Sequence, residues 1–346
     1  MSIYPKLILE ALAEIRYPGE PQNIVESGMV EDDIRIDGNK VSFSLISPKK
    51  NSPFMKSVVK ASEAAIKRHI GEECEVIINV KNKEVRPVVA EQPPTVNADK
   101  IIAISSGKGG VGKSTVSSNL AVALAKKGYR VGLLDADIFG PSVPKMFGIE
   151  DYRPELVSVG DRNYMRPAEK FGVKLLSIGF FVDPKSAVVW RGIMASNAIK
   201  QLVQEADWGD LDYFLVDLPP GTSDIHLTAV DVLKFTGAII VSTPQSVALA
   251  DAIKGIEMFE NPKINVPILG LVENMAYFTP AELPNNKYYI FGKEGVKRFA
   301  EERNIPLLAQ IPIIESICES SDSGVPDMLK NSILEEKYNE IIAKIS

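Results

Sequence analysis

One glycine-rich segment constrains this chain more than any other feature. It consists of Gly107, Lys108, Gly109, Gly110, Val111, Gly112, Lys113, Ser114 and Thr115. The apolar run Ile101–Ile104 before it predicts a strand, and the pattern of Ser114–Lys127 after it predicts a helix that Gly128 ends. Strand, glycine loop, Lys-Ser and helix in this order are typical of a phosphate-binding loop.

The chemistry of such a loop follows from its residue types. Glycines let the loop curl so that successive backbone N–H groups point at phosphate oxygens. The N-terminus of the following helix adds the positive end of its dipole. Lys113 would contribute a full charge at the β- and γ-phosphates, and the Ser114 hydroxyl is a ligand for Mg²⁺. The segment therefore predicts a site for ATP and Mg²⁺.

From Lys100 onward, apolar runs alternate with helical segments. The other runs after Ile101–Ile104 are Val131–Leu134, Val173–Leu176, Phe214–Val216, Ala238–Val241, Ile268–Val272 and Leu307–Ile311. Near-continuous apolar strands separated by helices favour a mostly parallel sheet covered on both faces. We therefore expect an α/β fold, in which ligands bind at the carboxyl ends of the strands.

The first part of the chain has the pattern of a smaller α/β domain. Its predicted elements are a helix through Leu7–Ile15, a turn at Asp37–Asn39, a strand at Val41–Leu45, a helix at Met55–His69 and a strand at Cys74–Val80. A proline-bearing, aperiodic stretch follows. We predict a small domain at residues 1–84, a linker at 85–98 and the P-loop domain at 99–346.

Aspartates stand at the ends of two predicted strands. Asp135 and Asp137 follow Leu133-Leu134, and Asp217 follows Phe214–Val216 before a Leu-Pro-Pro-Gly turn. A carboxylate at a strand end beside a phosphate loop can hold Mg²⁺ or orient an attacking water. We predict that Asp217 supports Mg²⁺ together with Ser114. Asp135 is equally compatible with a role in the site and with capping a turn.

Composition and charge exclude several functional classes. The net charge of −6 argues against wrapping of nucleic acid or attraction to an anionic membrane. No run approaches the 18 apolar residues of a membrane span, and no signal peptide is visible. Two cysteines cannot form a disulfide framework. We therefore expect a cytoplasmic protein without nucleic-acid or membrane partners, whose C-terminal helix at Ile333–Ser346 packs on the domain.

The second lysine of the loop narrows the class. With Lys108, the segment resembles the deviant Walker A motif of the MinD, ParA and nitrogenase iron-protein class. The resemblance implies a homodimer in which Lys108 reaches the partner's phosphates, as an arginine finger does. It also implies that Asp137 positions the attacking water and that Asn274, after Ile268–Val272, helps to recognise adenine. From its residue type alone, Asn274 is also compatible with a turn.

Several phrases resemble the Mrp/ApbC family of ATPases, which are described as iron–sulfur cluster carriers. They are Asp135-Ala136-Asp137-Ile138-Phe139-Gly140-Pro141-Ser142, Trp190-Arg191-Gly192, Asp217-Leu218-Pro219-Pro220-Gly221-Thr222-Ser223-Asp224 and Val272-Glu273-Asn274-Met275. Residues 1 to about 85 resemble the small iron–sulfur-assembly domain of that family. The resemblance implies an iron–sulfur cluster as cargo, and apo iron–sulfur client or assembly proteins as partners.

The chain departs from the family at the expected cluster ligands. Where the family has Cys-Pro-x-Cys, this chain has Thr279-Pro280-Ala281-Glu282, and Lys50–Pro53 replaces a cysteine-bearing turn of the small domain. Cys318 and Cys74 are interpreted as small, buried or half-buried side chains. The isolated His69 and His226 have no metal-pair spacing and are interpreted as ordinary residues.

Three functions remain open from the sequence. The first is a dimeric ATPase that binds and transfers iron–sulfur clusters. The second is a nucleotide-switched scaffold that binds a protein and carries no cluster, which the missing cysteines favour. The third is a positioning ATPase like ParA or MinD, which the acidic charge and the lack of a basic amphipathic tail disfavour.

Overall fold

The chain divides into two compact units, residues 1–91 and residues 92–346. The computed structural model describes residues 4–18, 22–31, 33–47, 54–71, 73–82, 96–138, 140–159, 162–181 and 192–346. Four sequence features noted above fall partly or wholly outside these ranges. They are most of the predicted linker, the turn at 50–53, Phe139 and the Trp190-Arg191 pair.

In its described residues, the first unit contains two helices and three strands. They are α1 (Pro5–Leu12), β1 (Arg35–Asp37), β2 (Lys40–Ser47), α2 (Met55–Ile70) and β3 (Glu75–Asn82). β1 and β2 form an antiparallel hairpin across the predicted turn, where Gly38 has the positive φ that favours glycine. β2 and β3 are parallel and connected through α2. The predicted small α/β fold is therefore confirmed, although α1 ends at Leu12 and Ile15 packs beyond it.

The second unit begins with β4 and alternates strands with helices. Its elements are β4 (Asn97–Ser105), α3 (Lys113–Lys126), β5 (Val131–Asp135), α4 (Val143–Met146), β6 (Leu156–Val159), β7 (Arg162–Met165), β8 (Ala168–Lys170), β9 (Val173–Ser177), α5 (Gly192–Gln204), β10 (Asp210–Asp217), α6 (Asp224–Val232), β11 (Gly237–Ser242), α7 (Ser246–Glu260), β12 (Ile268–Glu273), α8 (Gly295–Arg303), β13 (Leu307–Gln310), α9 (Glu315–Ser323) and α10 (Ser332–Ile345). Short 3₁₀ turns lie at Ile178–Phe181 and Asp327–Leu329.

An eight-stranded sheet organises this unit, in the order β13-β12-β11-β4-β10-β5-β9-β8. Neighbours from β13 to β9 are parallel, and each contains one of the predicted apolar runs. The predicted mostly parallel α/β sheet is therefore confirmed. The antiparallel edge strand β8 and the β6–β7 hairpin were not predicted, because their short segments mix polar and apolar residues.

The topology fixes where a ligand can bind. β4 lies between β10 and β11. The strands β11, β12 and β13 follow one another outward on one side of β4, whereas β5 and β9 lie on its other side, beyond β10. A crevice at the carboxyl ends of the strands results at such a switch point. The helix predicted at the C-terminus forms α10, which packs through Leu334, Tyr338, Ile341, Ile342 and Ile345. Of the helices in the described part of the chain, none has the length and apolar character needed to span a bilayer.

Candidate functional site

The loop between β4 and α3 is shaped by its glycines. Gly110 and Gly112 have φ angles of 81° and 83°, which residues other than glycine rarely adopt. A Cβ on Gly107 would lie 2.1 Å from the backbone carbon of Asp251, and one on Gly112 would lie 2.2 Å from Asn274 Nδ2. The loop can therefore take this path only if these positions lack side chains.

Lys113 begins α3 and is almost fully buried at the centre of the site. Its Nζ lies 3.0 Å from Asp217 Oδ1 and 3.6 Å from Asp137 Oδ2. Burial by itself lowers the pKa of Lys113, but the two aspartates outweigh it and hold the pKa above the ordinary value. Lys113 therefore stays charged. The loop brings it together with Asp137 and Asp217, two of the three aspartates that the sequence singled out.

Ser114 and Asp217 form a second contact beside the lysine. The Ser114 hydroxyl donates to Asp217 Oδ2 at 2.6 Å, and Asp217 is fully buried at the end of β10. These two oxygens are the hard donors that Mg²⁺ prefers. Asp137 and Asp217 can together carry two negative charges against the single positive charge of Lys113, so this donor set fits a divalent cation. Ser114 and Asp217 would be the residues that hold it.

Asp135 caps a turn beside the site, and its role in the site stays a prediction. It is directly opposite Asp217 in the β5–β10 register, and its Oδ1 accepts the Asp137 backbone N–H at 3.2 Å. Burial and the neighbouring Asp217 raise the pKa of Asp135 to about 8.

The remaining predicted residues flank the loop. Lys108 Nζ lies 3.5 Å from Gln245 Oε1, at the start of α7. The Asn274 side chain donates to the Val111 carbonyl at 2.8 Å and is buried, so in this structure it braces the loop. The in-trans role of Lys108 and the adenine contact of Asn274 stay predictions.

The pocket around these residues has a volume of about 240 Å³. Its walls are the loop from Ser106 to Thr115, together with Asp137, Gly140, Ser142, Met146 and Pro220. Backbone N–H groups, a helix N-terminus and a buried lysine on one side form a concavity suited to phosphate. On the other side, Asp137 borders the pocket. The buried Asp217 contacts Lys113 and Ser114, which line the pocket.

The sequence interpretation of His226 as an ordinary surface or core residue agrees with its place in the core. His226 is fully buried near the start of α6, and its Nδ1 accepts the Ser223 N–H at 3.2 Å. Burial first, and then the charge of Lys113, lower the pKa of His226 to about 4. Ser223 stands three residues before His226, whose side chain can accept a hydrogen bond. This spacing is a helix-capping signal, and it could have revealed the position of His226 at the start of the helix.

Neither cysteine is among the residues that line this pocket. Cys74 is buried, as predicted, and burial raises the pKa of its thiol. Cys318 is exposed on α9, so its interpretation as a buried or half-buried side chain was wrong. Position 318 lies on the solvent-facing side of that helix. Its neighbour Ile317 is half-buried and its neighbour Glu319 is exposed. Within the described ranges, no group of three or more His, Cys, Asp or Glu side chains is placed to hold a metal ion.

The fold and the loop define the second unit as a P-loop NTPase, a class that binds and hydrolyses nucleotides. The family model described as NUBPL iron-transfer P-loop NTPase matches residues 97–346. A second model, described as iron–sulfur cluster assembly protein, matches residues 6–78. The chain therefore belongs to the NUBPL iron-transfer P-loop NTPase family, and the family resemblance seen in the sequence is confirmed.

Curated relatives support this membership. The iron–sulfur cluster carrier protein of Synechocystis is 41% identical over 320 residues, which cover 92% of this chain and 90% of the relative. An Arabidopsis thaliana protein, named iron–sulfur protein required for NADH dehydrogenase, mitochondrial, is 48% identical over 71% of this chain and 77% of its own length.

Solved structures show the same fold. A nucleotide-binding protein of Archaeoglobus fulgidus, solved in complex with ADP, has a TM-score of 0.58 and 37% identity, covering 68% of this chain and 90% of its own. The cell division ATPase MinD of Pyrococcus furiosus has a TM-score of 0.50 and 27% identity, covering 72% of this chain and 100% of its own.

Proposed function

We propose that this protein binds and hydrolyses ATP in a Mg²⁺-dependent reaction, and that the nucleotide state controls how it handles an iron–sulfur cluster as cargo. The observation that carries the proposal is the position of Lys113, buried between Asp217 and Asp137 at the foot of a glycine loop. A buried charge needs compensation, and a triphosphate entering the pocket would offer it new anionic partners.

Each part of the site has a role in this proposal. The backbone N–H groups of residues 107–115 and the Lys113 ammonium bind the phosphates, and Ser114 and Asp217 hold Mg²⁺. Asp137 borders the pocket and orients the attacking water. When bound, Mg²⁺ would offset the charge that develops on the transferred phosphoryl group. Asn274 borders the loop and would contact adenine after giving up its bond to Val111.

We further propose that the active form is a homodimer. Lys108 contacts a neutral amide, that of Gln245, near the mouth of the phosphate pocket. A lysine at that place can extend to the phosphates of a second copy and stabilise the charge of the transition state. Hydrolysis would then change the contacts between the two copies of the dimer. Such a change can control the binding and release of an iron–sulfur cluster.

The cargo is inferred from the relatives. The Synechocystis relative, which is similar over 92% of this chain, is named iron–sulfur cluster carrier protein, and residues 6–78 match an iron–sulfur assembly model. We propose that the chain binds clusters and delivers them to apo iron–sulfur proteins in the cytoplasm. The small domain, residues 1–84, would serve as the docking module, joined by the linker at 85–98 to the ATPase domain.

A second candidate is a nucleotide-switched scaffold that binds a client protein and holds no cluster of its own. The observation that favours it is the stretch Thr279–Glu282, which carries no thiolate where the family's cluster ligands stand. Cys318 is the one cysteine in the sequence of residues 92–346, so it gives a dimer at most two thiolates. A cluster would then need further ligands from a client.

One experiment separates the two candidates. The purified chain is incubated anaerobically with iron and sulfide, desalted, and assayed for bound iron and for transfer to an apo-ferredoxin. A transferable cluster supports the carrier, and a colourless protein that hydrolyses ATP supports the scaffold.

The ATPase itself is tested by calorimetry with Mg·ATP. We expect Lys113→Ala to lose binding, because the buried charge that meets the phosphates is gone. The matched control is Lys126→Ala, which removes an exposed lysine of the same helix that is paired with Glu335. If wild-type protein gives no heat with Mg·ATP, or Lys113→Ala binds as well as wild type, the ATPase proposal is wrong.

A further inference from the structure

A buried serine lies beside the two strand-end aspartates. Ser177 is the last residue of β9 and has no exposed surface. In the sheet register, Ser177 is opposite Asp135, and Asp135 is opposite Asp217. The carboxyl ends of three adjacent parallel strands therefore place one hydroxyl and two carboxyl groups in a row. Sequence reasoning gave Ser177 no role, because a serine at a strand end is common.

The hydroxyl of Ser177 holds the far side of Asp135. It donates to Asp135 Oδ2 at 2.8 Å and accepts the Gly179 backbone N–H at 3.0 Å. The other oxygen of Asp135 accepts the backbone N–H of Asp137 at 3.2 Å. Two hydrogen bonds thus connect Ser177 to the backbone of Asp137, whose carboxylate lies 3.6 Å from Lys113 Nζ.

The same turn touches the segment after Asp137 at a second point. A Cβ built on Gly179 would lie 3.0 and 3.1 Å from side-chain carbons of Pro141, and 3.1 Å from Ser177 Oγ. Contacts this close leave no room for a methyl group unless a neighbour moves. The turn at Ile178–Phe181 therefore supports the Asp137 segment through one hydrogen-bond chain and one tight packing contact.

We propose that Ser177 is a positioning residue for nucleotide hydrolysis: through Asp135 it fixes the orientation of Asp137 toward the attacking water. This inference rests on the proposed ATPase function. The phosphates are bound by the glycine loop and Lys113, which lie on other elements. Loss of the Ser177 hydroxyl therefore leaves ATP binding intact and slows the chemical step. A displacement of about 1 Å at a reacting group can reduce a rate by roughly 100-fold.

The test compares Ser177→Ala with wild type in ATP affinity, KM and kcat. We expect kcat to fall by about 10- to 100-fold, with KM and the dissociation constant for Mg·ATP within about twofold of wild type. The matched control is Ser242→Ala. Ser242 is also a buried strand-end serine, but its hydroxyl bonds to the Thr243 carbonyl at 3.3 Å. This variant should keep the wild-type kcat.

A second variant guards against a folding defect in the first. Gly179→Ala keeps every hydroxyl but pushes against Pro141, and we expect it to lower kcat with little change in KM. A wild-type kcat in folded Ser177→Ala or Gly179→Ala overturns the inference, and so does an equal loss in Ser242→Ala. If wild-type protein binds no ATP or hydrolyses none, the proposed ATPase function fails, and this inference fails with it.

Discussion

Two segments leave the same edge of the central sheet and differ in how their side chains are engaged. The phosphate loop and the aspartates after β5 and β10 form a buried, interlocked cluster around Lys113. The segment after β12 keeps a backbone framework, in which Phe278 pairs with Tyr288 and Ile313. Its side chains from Ala281 to Tyr288 are exposed.

The two segments also differ in what a substitution would disturb. Side chains at the phosphate loop are linked to one another by short contacts, so a substitution there has consequences for several neighbours. The side chains from Ala281 to Tyr288 are exposed, and Thr279 just before them is half-buried. We therefore expect substitutions at Thr279 and Glu282 to cost little stability.

The largest expected effect concerns Lys108. In Lys108→Ala we expect Mg·ATP to bind with wild-type affinity and kcat to fall by about 1,000-fold, the size of effect seen for in-trans arginine fingers. Isothermal calorimetry and steady-state phosphate release measure the two quantities. The matched control is Lys254→Ala, an exposed lysine of α7 that pairs with Asp251.

Mixing two inactive variants tests the in-trans role directly. A dimer of one Lys108→Ala copy and one Lys113→Ala copy has a single complete site, because the second copy contributes its Lys108. An equal mixture should regain about a quarter of wild-type activity if copies exchange at random. If the mixture stays inactive although it forms dimers, Lys108 does not act across the interface.

Two substitutions would supply the cysteine ligands that this chain lacks. Thr279→Cys with Glu282→Cys rebuilds Cys-Pro-Ala-Cys on the existing backbone. We expect the iron retained after anaerobic reconstitution to rise toward about four atoms per dimer, as in a cluster held by four thiolates. The matched control is Thr279→Ser with Glu282→Ser. Equal iron in both double variants would show that this segment is no longer shaped to bridge two copies.

Sequence patterns predicted the parts of this molecule that depend on local composition. Apolar runs such as Ile101–Ile104 predict buried parallel strands because both faces of those strands are covered. Glycine spacing predicted the loop because residues at 110 and 112 need positive φ angles. Asp217 was identifiable because it stands at a strand end followed by a rigid turn.

Other features depend on contacts that a sequence does not display. Ser177 meets Asp135 only because β9 lies beside β5, a neighbour relation set by the whole sheet. The exposed position of Cys318 depends on which face of α9 packs against the domain. His226 lies near Lys113 through the turn that follows β10, and no spacing rule connects residues so far apart in sequence.

The smallest expected effect concerns His226, and it tests whether this side chain near the phosphate loop is shielded from water. Burial lowers the pKa of His226 from 6.5 to about 4. As the pH falls below 6.5, the unfolded chain binds a proton at this histidine before the folded chain does. The folded state therefore loses stability between pH 6.5 and about 4.

His226→Gln removes this titration and keeps the capping interaction, because glutamine is a natural partner in a Ser-capped helix start. We expect the variant to lose less stability than wild type between pH 7 and pH 4.5, by on the order of 2 kcal/mol. Urea unfolding at the two pH values measures the difference. The control is His69→Gln, which replaces the exposed histidine that pairs with Glu14 in the small unit. If both variants depend on pH as wild type does, His226 is not shielded from water, and the buried character assigned to this side chain is wrong.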